Sequence, residues 1–229
     1  MIFLSLKQDC QQSRHYYDGL TREQMDRHMK IIADAVQYVR QTQQKLTEKI
    51  MILDAGCGNG NQDHALSLRF NAAVTGITPF DGEYDACMEK KKDAAKLGKD
   101  NPYKDVAFFK AGMPDLGGVN GKFDVVYSDC AFQYMKGDDR AATLTRFSET
   151  LNNGGVIALR YPDRPTFSSD SSHPSLEEFR EEINSFNDAA SFFRLNIISL
   201  KETGDTLVEK RPEKNIHMIE TILRPVSLK

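Results

Sequence analysis

The residues of this chain best suited to chemistry lie at 52–60, Ile-Leu-Asp-Ala-Gly-Cys-Gly-Asn-Gly. A short apolar run at 50–53 ends in Asp54, and Gly56, Gly58 and Gly60 follow at every second position. Glycine tolerates positive φ and, having no Cβ, lets a ligand approach the backbone. The pattern reads as a buried strand, a turn built for a nucleotide-like ligand, and a helix beginning near Asn61. A tight connection that binds nothing is the competing reading of the same glycines.

Spacing narrows the ligand. A dinucleotide fingerprint places its third glycine or alanine three residues after the second; counted from Gly56 and Gly58, that position is Asn61. No Gly-Lys-Ser/Thr follows, so a P-loop is excluded as well. What remains, acid-x-Gly-x-Gly-x-Gly, resembles motif I of the class I S-adenosylmethionine-dependent methyltransferases. The resemblance implies that Asp54, Gly56, Cys57, Gly58, Asn59 and Gly60 pass beneath the methionine and ribose of S-adenosyl-L-methionine.

The downstream order of motifs extends the resemblance over about residues 50–224. Residues 72–77 read as a second strand ending at Thr78 and Pro79, beside Gly58 at the carboxyl edge of a doubly wound sheet. Most of the family carries Asp or Glu there to hold both ribose hydroxyls. Thr78 replaces it, as in the branch that includes the fatty-acid cyclopropane synthases, so ribose binding is weaker or is completed by Asp81 or Glu83. A third strand at 106–110 leads to Ala-Gly-Met-Pro, where members often have Gly-Asp-Ala; Gly112 and Met113 then face the adenine. Phe-Asp-Val-Val at 123–126 resembles the family's fourth strand, entered by an exposed acid, and sets Asp129 and Cys130 facing the cofactor. Residues 131–134 follow where many members line the substrate pocket, and Leu-Asn-Asn-Gly-Gly at 151–155 matches the turn before strand five.

Candidates for chemistry on a substrate lie beyond that turn. Arg160 and Tyr161 end the fifth strand, and Arg160 or Arg164 could clamp a carboxylate or phosphate with a planar guanidinium fork. A surface salt bridge is the alternative for each arginine. His173, in the loop after this strand, is a candidate general base or else a plain surface residue. Tyr17, in the pair Tyr16-Tyr17, either covers the reacting methyl as a lid or packs on the domain. The dispersed histidines never pair at ligand spacing with cysteine or each other, so no metal is expected.

Composition sets the outer limits. With 229 residues, 40% of them hydrophobic, the chain suits one domain with a small cap. A net charge of -3 and a pI near 6.0 give no general attraction to nucleic acid or anionic membrane. Lys90, Lys91 and Lys92 form the basic run, but on a helix at 81–97 they point in different directions and read as a solvated face. No apolar run has the length of a membrane span or a signal peptide core, which points to the cytoplasm. Cys10, Cys57, Cys87 and Cys130 are scattered and read as reduced.

These motifs require particular elements around them. Residues 15–49 read as helical, with Met25, Met29, Ile32, Ala33, Val36 and Val39 on one face. Helices are expected at 138–151 and, after Ser175, along Leu176, Phe179, Ile183, Phe186, Ala190 and Phe193. Strands six and seven fall at 196–203 and 216–223, with a turn at Gly204-Asp205 and a polar excursion at 209–214. The expected architecture is α/β: a seven-stranded, mostly parallel Rossmann-like sheet with helices on both faces. Residues 1–49 form its helical N-terminal cap and 50–229 its cofactor-binding domain. The implied reaction is in-line methyl transfer to an O, N or C nucleophile of a small molecule, with no nucleic acid, no membrane, and a homodimer allowed. Two alternatives stand beside it: an RNA or protein methyltransferase, and a partner or regulatory protein of this fold with weak or no cofactor binding.

Overall fold

A computed structural model of the chain describes residues 26, 28–135, 138–162, 176–189, 193–205 and 216–227. Its elements are α1 (Lys30–Thr42), β1 (Ile50–Ala55), α2 (Asp63–Phe70), β2 (Ala72–Thr78), α3 (Asp81–Ala95) and β3 (Val106–Lys110). They continue with β4 (Phe123–Asp129), α4 (Asp138–Thr150), β5 (Leu151–Pro162), α5 (Leu176–Ala189), β6 (Phe193–Asp205) and β7 (Ile216–Ser227). All seven strands join one sheet in the order β3-β2-β1-β4-β5-β7-β6. Strands β1 to β5 run parallel, whereas β7 is antiparallel to both β5 and β6. The strand order reverses between β1 and β4, and open α/β sheets bind ligands in the crevice at such a point.

Parallel strands covered on both faces read as continuous apolar runs rather than as alternation. One face of the sheet, with Ile50, Ile52, Val74, Val125 and Val156, packs against α1, α2 and α3. The other, with Leu53, Ile77, Val126, Ile157 and Leu159, packs against Phe147 of α4 and Phe179 and Ile183 of α5. In α1 the buried stripe is Ile31, Ile32, Ala35, Val36 and Val39. Each large apolar side chain so buried contributes roughly 1.5–3 kcal/mol. Among the described residues no helix is long and apolar enough to cross a membrane.

Several elements depart from the sequence expectation. The N-terminal helix stops at Thr42, seven residues short of its expected end, because Gln44 turns left-handed at φ 58. Residues 43–49 instead tie the sheet's amino edge: Lys45 pairs with Asp124 at 2.7 Å and Lys49 with Asp105 at 2.8 Å. Asp124, expected to be exposed, is 1% exposed, and it also accepts bonds from the Met51 amide and the Asn152 side chain. Helix α2 begins at Asp63 rather than Asn61, since the Gly60 amide first closes a turn on the Cys57 carbonyl. Residues 152–155 form an irregular excursion within β5: Phe123 pairs with Leu151, yet Val125 pairs with Val156. Helix α5 ends at Ala189, and Phe193 opens β6 rather than extending the helix. Gly204 and Asp205, expected at a turn, are instead still paired, with His217 and Ile216. Met25, Tyr16, Tyr17, Arg164, His173, Ser175 and the excursion at 209–214 lie outside the described residues.

Candidate active site

The glycine loop hangs from the end of β2. The amides of Gly56 and Cys57 both donate to the Ile77 carbonyl at 3.0 Å, and the three glycines have φ of 95, 56 and 72. They do different work. A Cβ on Gly56 would lie 2.3 Å from the Ala131 Cβ, and one on Gly60 2.7 Å from the Phe108 ring; both positions are closed by packing. A Cβ on Gly58 would meet nothing within 4 Å, so here bare backbone faces open space.

Side chains from α3 and the segment before β3 pin this loop from beneath. Cys87 Sγ donates to the Gly58 carbonyl at 3.3 Å, Lys90 Nζ to that of Asn59 at 3.0 Å, and Tyr103 Oη to that of Gly60 at 3.3 Å. Asn59 Oδ1 accepts the Asn61 amide at 3.3 Å. Lys90 also reaches the Asn61 side chain, and Lys91 bonds the Val106 carbonyl at 2.5 Å. Two of the three lysines read as a solvated face are therefore spent inside the fold. Nothing local in the sequence marks Cys87, Lys90 and Tyr103 as supports of the loop, because each contact spans 29 to 43 residues.

Acids gather around the loop. Asp54 is fully buried, and neither of its oxygens has a hydrogen-bond partner among the described residues. Burial, with Asp63 and Asp129 adding to it, raises its pKa well above the usual carboxylate range. Asp63 is equally buried and unpartnered, and burial pushes its pKa up too, with Lys90 pulling back. At the end of β2 the buried Thr78 hydroxyl donates to Glu83 at 2.5 Å, while Pro79 is exposed. The Ala111 amide donates to the Thr78 carbonyl at 3.0 Å, bringing the end of β3 alongside. Gly112 is half-buried there; Met113 is buried, with Cε 3.5 Å from where a Gly56 Cβ would lie and Sδ 4.0 Å from Ser128 Oγ.

The ends of β4 and β5 complete the crevice. Asp129 pairs with Arg160 at 3.1 Å, and Arg160 lies 3.5 Å from Glu220 on β7, all three buried. Lys201 extends the row, 3.1 Å from Glu220 and 3.5 Å from Asp34 on α1. The surface salt bridge considered for Arg160 is thus replaced by a buried one, because β7 carries a second acid against it. Cys130 is half-buried at φ 52, its amide bonded to the Arg160 carbonyl at 2.8 Å. Tyr161 faces the opposite side of the sheet, fully buried against Phe132 and Phe179 with ring centroids at 6.3 and 5.7 Å. Its hydroxyl has no partner among the described residues, and burial raises its pKa, with Glu182 adding to the rise.

The family model described as "Methyltransferase domain" matches residues 52–155, from the glycine loop through the double-glycine excursion. Over those residues, just under half of its length, the chain is similar to a methyltransferase domain. It is 33% identical over 112 residues to a trans-aconitate 2-methyltransferase of Deinococcus radiodurans; the match covers 48% of this chain but only 37% of that protein. Its fold resembles that of Burkholderia thailandensis 1,6-didemethyltoxoflavin-N1-methyltransferase, solved with S-adenosylhomocysteine, at TM-score 0.59 and 17% identity over 97% of this chain and 88% of that one. It also resembles the [4+2]-cyclase SpnF at TM-score 0.64 and 13% identity, over 90% and 83% of the two chains. The cofactor of this family is S-adenosylmethionine, and two features of the crevice fit it. The Gly58 backbone is open to an adjacent ligand, and the unpartnered Asp54 carboxyl suits one that carries positive charge.

Proposed function

We propose that the chain is a methyltransferase that moves the methyl of S-adenosylmethionine, in line, onto an oxygen, nitrogen or carbon nucleophile of a small molecule. The observation that carries this reading is the Gly58 position, bare backbone held open by a loop that is otherwise closed and pinned. When bound, the cofactor supplies an electrophilic sulfonium methyl. In this reading Gly56, Cys57, Gly58, Asn59 and Gly60 hold its methionine and ribose, and Asp54 offsets its positive charge. Gly112 and Met113 pack on the adenine. Asp129 and Cys130 border the methionine end, and Arg160 keeps the Asp129 carboxylate fixed. Tyr161, buried in the core, takes no part in the chemistry; Tyr17 is a cover and His173 a base for an amine or hydroxyl nucleophile. Alignment of the nucleophile is the main source of rate, worth roughly 7–11 kcal/mol in such arrangements.

A small substrate is favoured by the net charge of -3, by the internal use of Lys90 and Lys91, and by the relative's name, which specifies a small acid. Cys57, Cys87 and Cys130 are free thiols, which accords with a cytoplasmic setting. The test is calorimetric titration of the cofactor-stripped protein with S-adenosylmethionine and S-adenosylhomocysteine, then a mass-spectrometric screen of small acids, amines and phenols. Expected is micromolar binding that Gly58→Val abolishes, since its side chain would fill the open space. A folded wild type that binds neither ligand would overturn the enzyme reading in favour of a cofactor-free partner protein, the reading that Thr78 and Met113 favour.

A further inference from the structure

We infer that Cys57 and Cys87 form a dithiol that hydrogen peroxide oxidises to a disulfide, and that this bond weakens cofactor binding. The disulfide stands apart from the methyltransferase reading above; its effect on the cofactor rests on that reading. Cys57 lies in the glycine loop and Cys87 on α3, and the Gly58 carbonyl oxygen brings them together. Cys57 Sγ is 3.7 Å from that oxygen and Cys87 Sγ 3.3 Å. The Cys57 side chain also hydrogen-bonds with that of Cys87, and this contact, followed by burial, raises its pKa well above the ordinary thiol range. Both sulfurs occupy room that glycines leave: a Cβ on Gly60 would lie 3.0 Å from Cys87 Sγ, and one on Gly76 2.9 Å from Cys57 Sγ.

Cys87 is fully buried and Cys57 is 5% exposed, so the oxidant meets Cys57 first. Its thiolate attacks one peroxide oxygen and breaks the O–O bond, giving a sulfenic acid and water. The Cys87 sulfur then displaces the hydroxyl group, forms the S–S bond and releases a second water. Two thiols and one peroxide become one disulfide and two waters; the sulfurs give up two electrons and the peroxide oxygens take them. Since the thiolate is the nucleophile, the raised pKa makes the first step slow at neutral pH and faster as pH rises. A disulfide draws its sulfurs to about 2 Å and leaves neither with a proton. The Gly58 carbonyl thereby loses the thiol donors that pin it, and the stretch of bare backbone offered to the cofactor is pulled toward α3.

The test treats the reduced protein with hydrogen peroxide and digests it without reductant. Trypsin cuts after Lys49, Arg69 and Lys90, so Cys57 and Cys87 fall in separate peptides, 50–69 and 70–90. Expected is a species that joins the two, lighter than their sum by two hydrogens and lost on reduction. In Cys87→Ser the reaction should stop at the sulfenic acid, which dimedone traps on peptide 50–69. Calorimetry with S-adenosylhomocysteine should find the oxidised wild type binding about tenfold more weakly than the reduced. Dithiothreitol should restore the affinity, with circular dichroism unchanged throughout. Peptides that stay unlinked would overturn the inference, and so would a cross-link that leaves the affinity as it was. A reduced wild type that binds no S-adenosylhomocysteine would instead overturn the methyltransferase reading and the effect on the cofactor with it, while the peptide map still decides whether the disulfide forms.

Discussion

The ends of β1 and of β5 solve the same problem in opposite ways. Each buries acids at the crevice, but Asp129 and Glu220 share Arg160, and Lys201 carries the row on to Asp34. Asp54 and Asp63 accept no hydrogen bond from any described residue. Taking a charge out of water costs several kcal/mol unless a partner returns it. At β5 the chain supplies the partners itself. At β1 it leaves the carboxyls without partners, their pKa raised by burial, a state that a cationic ligand can change.

Removing the cation on the paired side should have the largest effect. Arg160→Met removes the buried cation that Asp129 and Glu220 share and is expected to cost about 3–5 kcal/mol, the range for breaking a buried pair by deleting one partner. For a chain of this size that lowers Tm by about 10 °C. A loss below about 1 kcal/mol in urea unfolding would mean the two strand ends differ less than their contacts say.

The unpaired side should show itself in pH. Folding raises the pKa of Asp63, so above the unfolded value of 3.8 the folded chain keeps a proton that the unfolded chain has released. This contribution to stability is therefore full at low pH and is lost as pH rises through the folded value, at about 1.4 kcal/mol per unit. Asp63→Asn should remove that slope and be the more stable protein at pH 7. A stability difference between variant and wild type that does not change from pH 4.5 to pH 7.5, tested at about half-unit intervals, would contradict it.

Asp54 should link the same effect to the ligand. Burial raises its pKa, with Asp63 and Asp129 adding to the rise, and a bound sulfonium lowers it again, so S-adenosylmethionine binding should release up to about one proton. Titration in two buffers of different ionisation enthalpy measures this, and Asp54→Asn should abolish it. Equal proton release by the variant would assign the proton elsewhere. The smallest effect is at the loop's support. Lys90→Met gives up the bonds to the Asn59 carbonyl and the Asn61 side chain and should weaken S-adenosylhomocysteine by about 0.5–1.5 kcal/mol, with Lys92→Met as the silent control.

What the sequence displayed of this arrangement was whatever is local. The glycine spacing, the apolar strand runs and the positions of β1 to β4 were legible because each is written in a few adjacent residues. The helix ends were less so: Gln44 breaks α1 with no glycine or proline to announce it, and Phe193 fits helical spacing although it begins a strand. Least legible were side chains whose role comes from register. Glu220 is one of several polar residues in its strand until β7 sets it beside Arg160, and Asp124 looks like a rim charge until Lys45 and Asn152 reach it. Cys87, Lys90 and Tyr103 matter only because α3 and the segment before β3 fold back under the loop.

The sheet order also fixes when the domain can be finished. Strand β7 lies between β5 and β6 although it is made after both, so on the ribosome neither has its neighbour until residues 216–227 have emerged. Until then β5 presents an unpaired edge and Arg160 lacks Glu220. Such an edge is a template for pairing with other chains. A nascent chain halted before β7 is thus the species most exposed to aggregation and the natural client of a chaperone, whatever the stability of the completed sheet.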